Sequence, residues 1–131
     1  MKDYWDSSAL VETLFNLPLR QRLKRDGGKT RLHAFAEVFS TMTGGRLGVR
    51  YDADDATKKL EEMSADLELV ELDRAAVFSA FKQARRRGVR GGQVHDLLHA
   101  VAADKSGAKR LLTTDQNDFK TLVDTVEVEQ I

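Results

Sequence analysis

The sequence predicts an α/β protein in which helices cover both faces of a mainly parallel sheet. Short apolar runs, typical of buried strands, alternate with longer segments whose apolar residues recur at helical spacing. The chain contains no internal repeat, low-complexity segment or linker that would divide it. Strands that alternate with helices usually pair in parallel and are buried on both faces. We therefore predict one three-layer α/β/α domain over residues 1–131.

The position of each strand and helix is predicted from its apolar pattern, and its ends are predicted from the residues that terminate it. The predicted strands are 2–6, 30–32, 67–72, 110–113 and 125–128. The predicted helices are 8–15, 19–25, 32–42, 55–63, 74–87, a helix that follows Gly91 and Gly92, and 117–122. Pro18 suits the first turn of the second helix, and the glycines at 27–28 and 44–45 are suitable helix ends.

Composition excludes several classes of protein. A chain of 131 residues with 41% hydrophobic and 32% charged residues suits one folded domain with a single core. There is no signal-peptide pattern at the N-terminus and no apolar run long enough to span a bilayer. The absence of cysteine excludes disulfides and thiolate zinc sites. We therefore expect a cytoplasmic protein without a membrane partner.

The charges balance overall but are segregated along the chain. Lys+Arg and Asp+Glu both number 21, so the net charge is +0, whereas non-specific nucleic-acid binding usually shows a basic excess. Basic residues cluster in 20–31 and 82–90, and acidic residues cluster in 52–73. Binding of a polyanion must therefore be local. The candidate RNA contacts are Arg85, Arg86, Arg87 and Arg90, although a basic run also suits the end of a helix.

Four carboxylates occupy positions that packing alone explains poorly. Asp6 and Asp115 follow predicted strands, Glu37 lies in an apolar helix, and Asp96 opens the helix after the glycine pair. Sites in parallel α/β sheets form beyond the carboxyl ends of the strands. Clustered carboxylates repel one another and need protons or cations, and Mg²⁺ and Mn²⁺ prefer oxygen ligands. The pattern indicates metal-dependent phosphate chemistry.

Asp6 and Glu37 also have structural interpretations. Asp6 could cap the following helix, although Ser7 or Ser8 could do so and would leave the carboxylate surplus. Glu37 could be an ordinary solvated helical residue.

Asp96 and Asp115 are open to similar structural alternatives. Asp96 could complement a helix N-terminus, but Ala100 lies on the same face and predicts partial burial. Asp115 could form a capping box with Asp118. Asn117 and Asp118 are candidate outer-shell groups, with capping as the alternative.

Two further motifs point away from this chemistry. His95 and His99 have the i, i+4 spacing of a zinc-protease helix, but no third ligand is evident, so we predict that both are surface residues. Phenylalanines at core spacing are predicted to pack in the interior, namely Phe35, Phe39, Phe78, Phe81 and Phe119. No phosphate-binding glycine loop or dinucleotide fingerprint is present.

Four segments together resemble the PIN-domain family, in particular its small VapC-type toxin ribonucleases. Residues 4–11 resemble the family's first strand, Asp, hydroxyl residue and helix, and residues 30–37 resemble the segment that carries its glutamate. Residues 91–100 resemble the segment in which Asp follows a glycine, and residues 111–119 resemble the T-x-D-x-x-D-F segment. All four occur in family order and cover nearly the whole chain.

The resemblance implies a PIN-like α/β/α fold and a set of functional residues. The implied metal ligands and catalytic residues are Asp6, Glu37, Asp96 and Asp115, and the implied supporting hydroxyls are those of Ser7 and Thr114. It further implies Mg²⁺ or Mn²⁺, cleavage of single-stranded RNA, a homodimer and an antitoxin protein that blocks the site. We expect residues 55–87 to bind that partner. The alternatives are another metal-dependent phosphohydrolase and an inactive RNA-binding or assembly module.

Overall fold

A five-stranded sheet forms the centre of the molecule. The computed structural model describes residues 2–131, and every pair of neighbouring strands in its sheet is parallel. The strands are β1 (Tyr4–Trp5), β2 (Gly28–Thr30), β3 (Leu67–Leu69), β4 (Arg110–Thr113) and β5 (Glu127–Gln130). Their spatial order is β3-β2-β1-β4-β5. The predicted α/β class is confirmed, and the sheet is parallel throughout.

Six α-helices within residues 2–131 cover the sheet. They are α1 (Ser7–Glu12), α2 (Leu17–Asp26), α3 (His33–Thr43), α4 (Ala53–Ser64), α5 (Arg74–Gln83) and α6 (Val94–Ser106). Two 3₁₀ turns, Gly91–Gln93 and Gln116–Asp118, precede α6 and follow β4. No helix within residues 2–131 is both long enough and apolar enough to cross a bilayer.

Alternation along the central strands divides the core into two halves. Tyr4 and Leu111 join the cluster built with α5 and α6, whereas Trp5 and Leu112 join the cluster built with α1 to α4. Successive strand residues point to opposite faces, so each of these two strands contributes to both clusters. The three-layer α/β/α arrangement follows from this alternation.

Several boundaries differ from the sequence prediction. β2 begins at Gly28 because Gly27, with φ 67°, ends α2 and lets the chain turn directly into the sheet. β3 stops at Leu69 rather than residue 72, α5 stops at Gln83 rather than residue 87, and the predicted helix 117–122 is only a 3₁₀ turn. The last strand starts two residues later than predicted, at Glu127. Apolar pattern locates elements well but marks their ends poorly.

Two phenylalanines are exposed, which contradicts their assignment to the core. The side chains of Phe78 and Phe81 on α5 are 55% and 42% exposed and contact each other edge to face. By contrast, Phe119 is buried, and Phe35 and Phe39 pack against the core. Helical periodicity places Phe78 and Phe81 on one side of α5 but does not reveal that this side lacks a covering element.

The order of the strands defines where a site can form. From β1 the chain proceeds outward through β2 and β3, then returns to place β4 on the other side of β1. This reversal is a topological switch point, and ligands of open α/β sheets bind in the crevice outside the strand ends there. Asp6 directly follows β1, and Asp115 lies two residues beyond the end of β4. Both therefore lie at the crevice between these strands.

Candidate active site

Asp6 joins the end of β1 to the start of α1. It is the N-cap of α1, and its Oδ1 accepts hydrogen bonds from the Ala9 N–H at 2.8 Å and the Ser8 hydroxyl at 2.7 Å. The capping interpretation is therefore correct, and neither serine caps the helix. Burial raises the pKa of Asp6 in spite of these hydrogen bonds. A cation nearby would stabilise the ionised form of this buried carboxyl group.

Asp96 lies in the first turn of α6 and is partly buried. Burial, together with the negative charges of Asp118 and Asp6 and a smaller contribution from Glu37, raises the pKa of Asp96 to about 6. Like charges act on a carboxylate in this way only when they lie close to it. The structure thus brings Asp6, Glu37, Asp96 and Asp118 to the same end of the sheet.

The segment after β4 carries Asp115 and Asp118. Asp115 starts the 3₁₀ turn Gln116–Asp118, but its side chain makes no capping hydrogen bond, so the capping-box interpretation is wrong. Partial desolvation and the adjacent Asp115 carboxylate raise the pKa of Asp118. Asp118, considered above only as an outer-shell or capping group, therefore lies beside Asp115 and within electrostatic reach of Asp6, and like Asp115 and Asn117 it is exposed.

Hydroxyl groups of Ser7, Ser8 and Thr113 lie beside the acidic residues. Ser7 Oγ lies 3.4 Å from Glu37 Oε2, and its supporting role stays a prediction. At the end of β4, however, the buried hydroxyl is that of Thr113, which contacts Ser8 Oγ and accepts from the Asp115 N–H. Thr114 contributes its backbone N–H to Ser8 Oγ. Thr114 lies just beyond the end of β4 and lines a shallow cleft with Ser7 and Ser8, and its role as a supporting hydroxyl stays a prediction.

Glu37 is held by a histidine that the sequence interpretation placed on the surface. His99 is only 1% exposed, and its Nε2 lies 2.9 Å from Glu37 Oε1. Its Nδ1 lies 2.7 Å from the hydroxyl of the buried Tyr4. The surface assignment of His99 is wrong because its side of α6 packs against the sheet. The sequence did contain a sign of this burial, because His99 lies three residues after Asp96 in a segment rich in alanine.

Two other histidines lie near the rim of the site. The rings of His33 and His95 stack with centroids 5.5 Å apart and planes inclined by 16°, and both residues are exposed. Burial raises the pKa of Glu37, but the hydrogen bond from His99 and the charges of His99, His33 and His95 outweigh it, so the net shift is downward. Glu37 is therefore a carboxylate at neutral pH, held by the hydrogen bond from His99.

The acidic cluster has the donor chemistry that a hard divalent cation requires. Its oxygens belong to carboxylates, and neighbouring carboxylates add to burial in destabilising the charged forms of Asp96 and Asp118. Within residues 2–131, no three His, Asp or Glu side chains form a ready-made metal-binding arrangement. The assignment of Asp6, Asp96 and Asp115 to one shared cation, with Glu37 nearby, therefore stays a prediction.

The candidate RNA-binding arginines separate into two groups. Arg87 donates to the Leu122 carbonyl at 2.6 Å and to both oxygens of Asp124, and its side chain is only 12% exposed. It anchors the segment after α5 to the loop before β5, so little of it remains for a phosphate. Arg85, Arg86 and Arg90 are exposed and remain candidates for RNA contact.

A parallel α/β/α domain with carboxylates gathered at the switch point of its sheet defines a PIN-like class of protein. The family model for the PIN domain matches residues 4–123. The chain belongs to the PIN-domain family, as its sequence motifs predict. No curated protein sequence is significantly similar to it.

Three solved structures share the fold over nearly the whole chain. VapBC-1 from nontypeable Haemophilus influenzae has a TM-score of 0.73 at 16% identity, covering 99% of this chain and 98% of that one. VapBC2 from Rickettsia felis, bound to a DNA fragment from its promoter, has a TM-score of 0.70 at 17% identity, covering 99% and 98%. PAE2754 from Pyrobaculum aerophilum has a TM-score of 0.69 at 15% identity, covering 98% and 89%. At these identities the similarity establishes the fold.

The raised pKa of Asp96 predicts a pH-dependent stability of the metal-free protein. The folded protein holds the Asp96 proton up to about pH 6, whereas the unfolded chain releases it near pH 4. Stability should therefore be lost as the pH rises through this window. The pKa shift corresponds to a loss of at most about 3 kcal/mol in the free energy of unfolding. We expect a loss of about 1–2 kcal/mol, because solvent screens the charge of a partly exposed group.

Urea unfolding in EDTA at pH 5 and pH 7.5 measures this contribution. Asp96→Asn should unfold at higher urea than the wild type at pH 7.5 and should show a weaker dependence on pH. If the stabilities of the two proteins depend equally on pH, the pKa of Asp96 is not raised in the folded protein, and the prediction is wrong.

Proposed function

We propose that the protein is a metal-dependent endoribonuclease of the VapC type, the toxin of a toxin–antitoxin pair. The observation that carries the proposal is the environment of Asp96 in the first turn of α6, where burial together with the charges of Asp118, Asp6 and Glu37 raises its pKa to about 6. PIN-family membership supports a nuclease rather than another use of the acidic cluster.

The carboxylates have distinct roles in this proposal. Asp6 and Asp96 are the primary ligands, and Asp115 completes the site directly or through water, with Asp118 beside it. Glu37 binds a second ion or orients the attacking water. When bound, Mg²⁺ or Mn²⁺ lowers the pKa of a water and neutralises the scissile phosphate. Because Mg²⁺ keeps several waters, a small number of protein ligands is sufficient.

Single-stranded RNA is the proposed substrate. The neutral net charge of the chain argues against broad electrostatic binding of nucleic acid. Contacts are instead local, between the phosphate backbone and the exposed arginines Arg85, Arg86 and Arg90. An unpaired strand can place one phosphodiester in the crevice between β1 and β4 without distorting a duplex.

The proposed partners are an antitoxin and a second copy of the chain. Two of the structural neighbours are VapBC assemblies, which supports an antitoxin here. Residues 55–87 expose the Phe78–Phe81 pair on α5 and acidic side chains on α4. Amphipathic surfaces of this kind suit docking of a partner helix, and the acidic side chains suit a basic antitoxin tail. An antitoxin arginine could also occupy the carboxylate site in place of the cation.

The function is tested by incubating the purified protein with a panel of single-stranded and structured RNAs. We expect cleavage of unpaired segments with Mg²⁺ or Mn²⁺ and none with EDTA. Hydrolysis of a small phosphate monoester without RNA cleavage would instead identify a phosphohydrolase. Binding of RNA without any cleavage would identify an inactive module.

Partner binding gives a separate prediction. When the chain is co-expressed with the product of a short adjacent gene, the complex should show hydrogen-exchange protection within residues 55–87 and suppressed nuclease activity. The mechanism is burial of the exposed face of α5 together with occlusion of the site. Protection confined to the opposite face, or full activity in the complex, would contradict the prediction.

A further inference from the structure

A buried tyrosine–histidine pair lies behind Glu37. The Tyr4 hydroxyl and His99 Nδ1 are 2.7 Å apart, and His99 Nε2 and Glu37 Oε1 are 2.9 Å apart. Tyr4 is 0% exposed and His99 is 1% exposed. Two short hydrogen bonds therefore connect the interior of the domain to one oxygen of a candidate catalytic carboxylate.

The chemistry of the three groups fixes the direction of the bond to Glu37. A carboxylate only accepts hydrogen bonds, so Nε2 must carry a proton and donate it to Oε1, whatever the charge of the ring. Nδ1 meets a phenol that can either donate to a neutral ring or accept from a charged one. Tyr4 thus holds the orientation of the imidazole in both cases.

The pair connects three elements that carry the acidic residues. Tyr4 lies on β1 two residues before Asp6, and His99 lies on α6 three residues after Asp96. Glu37 comes from α3, which packs in the opposite helical layer from α6. The His99–Glu37 hydrogen bond therefore sets the position of the α3 carboxylate relative to those of β1 and α6.

The two oxygens of Glu37 are held unequally. Oε1 accepts the 2.9 Å bond from His99, whereas Oε2 has only the long 3.4 Å contact with the Ser7 hydroxyl. Oε2 is therefore the oxygen with more free bonding capacity. A buried polar pair that served packing alone would bring a desolvation cost that an apolar pair of similar size avoids.

We propose that Tyr4 and His99 are positioning residues, which fix Oε1 of Glu37 and leave Oε2 to serve the divalent cation or the attacking water. This inference rests on the proposed nuclease function. Loss of groups that orient a metal ligand typically costs 10–100-fold in metal affinity or activity. The effect should fall on cation binding and kcat, because neither residue reaches the protein surface where RNA binds.

Three variants test the proposal, with Mn²⁺ binding by the RNA-free protein and RNA cleavage as separate readouts. Tyr4→Phe removes only the hydroxyl oxygen. It should lower both the Mn²⁺ affinity and kcat about tenfold, and KM for RNA should stay within about twofold of the wild-type value. His99→Leu should cost up to about 100-fold in the same two quantities. His99→Gln should recover part of the loss, because its amide can still donate to Glu37. Tyr51→Phe, which alters the other tyrosine of the chain, is the matched control and should behave as the wild type.

Mn²⁺ affinity is measured by electron paramagnetic resonance well below the melting temperature, where the variants compared are folded. This measurement distinguishes a role in orienting Glu37 from a role in stabilising the fold alone. Wild-type affinity and kcat in both Tyr4→Phe and His99→Gln, even with a lowered Tm, would overturn the proposal. If His99→Leu fails to fold, these two milder variants decide the question. Loss of Mn²⁺ binding and cleavage in Asp96→Asn, but not in Tyr4→Phe, would refute the positioning role alone. A wild-type protein that neither binds Mn²⁺ nor cleaves RNA would refute the nuclease function itself.

Discussion

Asp96→Asn and Asp6→Asn should each reduce RNA cleavage by about 1,000-fold or more while leaving the domain folded. Loss of a charged ligand removes several kcal/mol of transition-state stabilisation, and each 1.36 kcal/mol is about tenfold in rate. Asparagine keeps an oxygen that can accept from Ala9 N–H, so Asp6→Asn should preserve the cap of α1. Removal of one charge from the cluster should even raise the stability of the metal-free protein.

The measurement is single-turnover cleavage with Mg²⁺ or Mn²⁺, beside a thermal melt in EDTA. Asp52→Asn is the matched control, because Asp52 caps α4 through the same kind of bond, to the Asp55 N–H at 2.8 Å. It should cleave RNA at the wild-type rate. Near wild-type activity in Asp6→Asn or Asp96→Asn, with EDTA still inhibitory, would refute the assignment of ligands.

Gly28→Ala should destabilise the domain by about 2–3 kcal/mol through overpacking. A Cβ at Gly28 would lie 2.6 Å from Trp5 Cδ1, 2.7 Å from Trp5 Nε1 and 3.0 Å from Leu23 Cδ1. Both neighbouring side chains are buried, so neither can move aside without displacing others. The reduced flexibility of the unfolded chain offsets at most about 1 kcal/mol. At about 4 °C for each kcal/mol, Tm should fall by about 10 °C.

Trp5 is the single tryptophan of the chain, so its fluorescence reports on the affected site directly. Gly92→Ala is the matched control, because nothing lies within 4 Å of the added methyl group. It should change Tm only slightly. A Gly28→Ala protein with unchanged Tm and fluorescence would contradict the tight contact between β2 and the Trp5 indole.

The sequence was sufficient to predict the class of fold and the ends of the strands that carry acids. The apolar runs of β1 and β4 are bounded by Asp6 and Asp115, and their positions follow from local pattern alone. Asp96 was predicted to be partly buried from its alanine-lined helix face, and the structure agrees. These features depend on residues close together in the chain.

The features that sequence reasoning missed depend on long-range contacts. His99 is buried because its helix face meets Tyr4, 95 residues away, and no local pattern encodes that neighbour. Phe78 and Phe81 have the spacing of a buried stripe, but no element of the fold covers them. Tertiary partners decide each of these cases.

The position of a bound cation tests the central claim most directly. A crystal of the wild-type protein soaked in Mn²⁺ should show an anomalous difference peak in the crevice between β1 and β4, bound by carboxylate oxygens of Asp6 and Asp96. Mn²⁺ is suited to this measurement because it takes the oxygen ligands that Mg²⁺ takes. The peak should disappear in a crystal of Asp96→Asn. Absence of any peak in the wild type, or a peak bound only by residues outside the acidic cluster, would contradict the proposed metal-dependent nuclease.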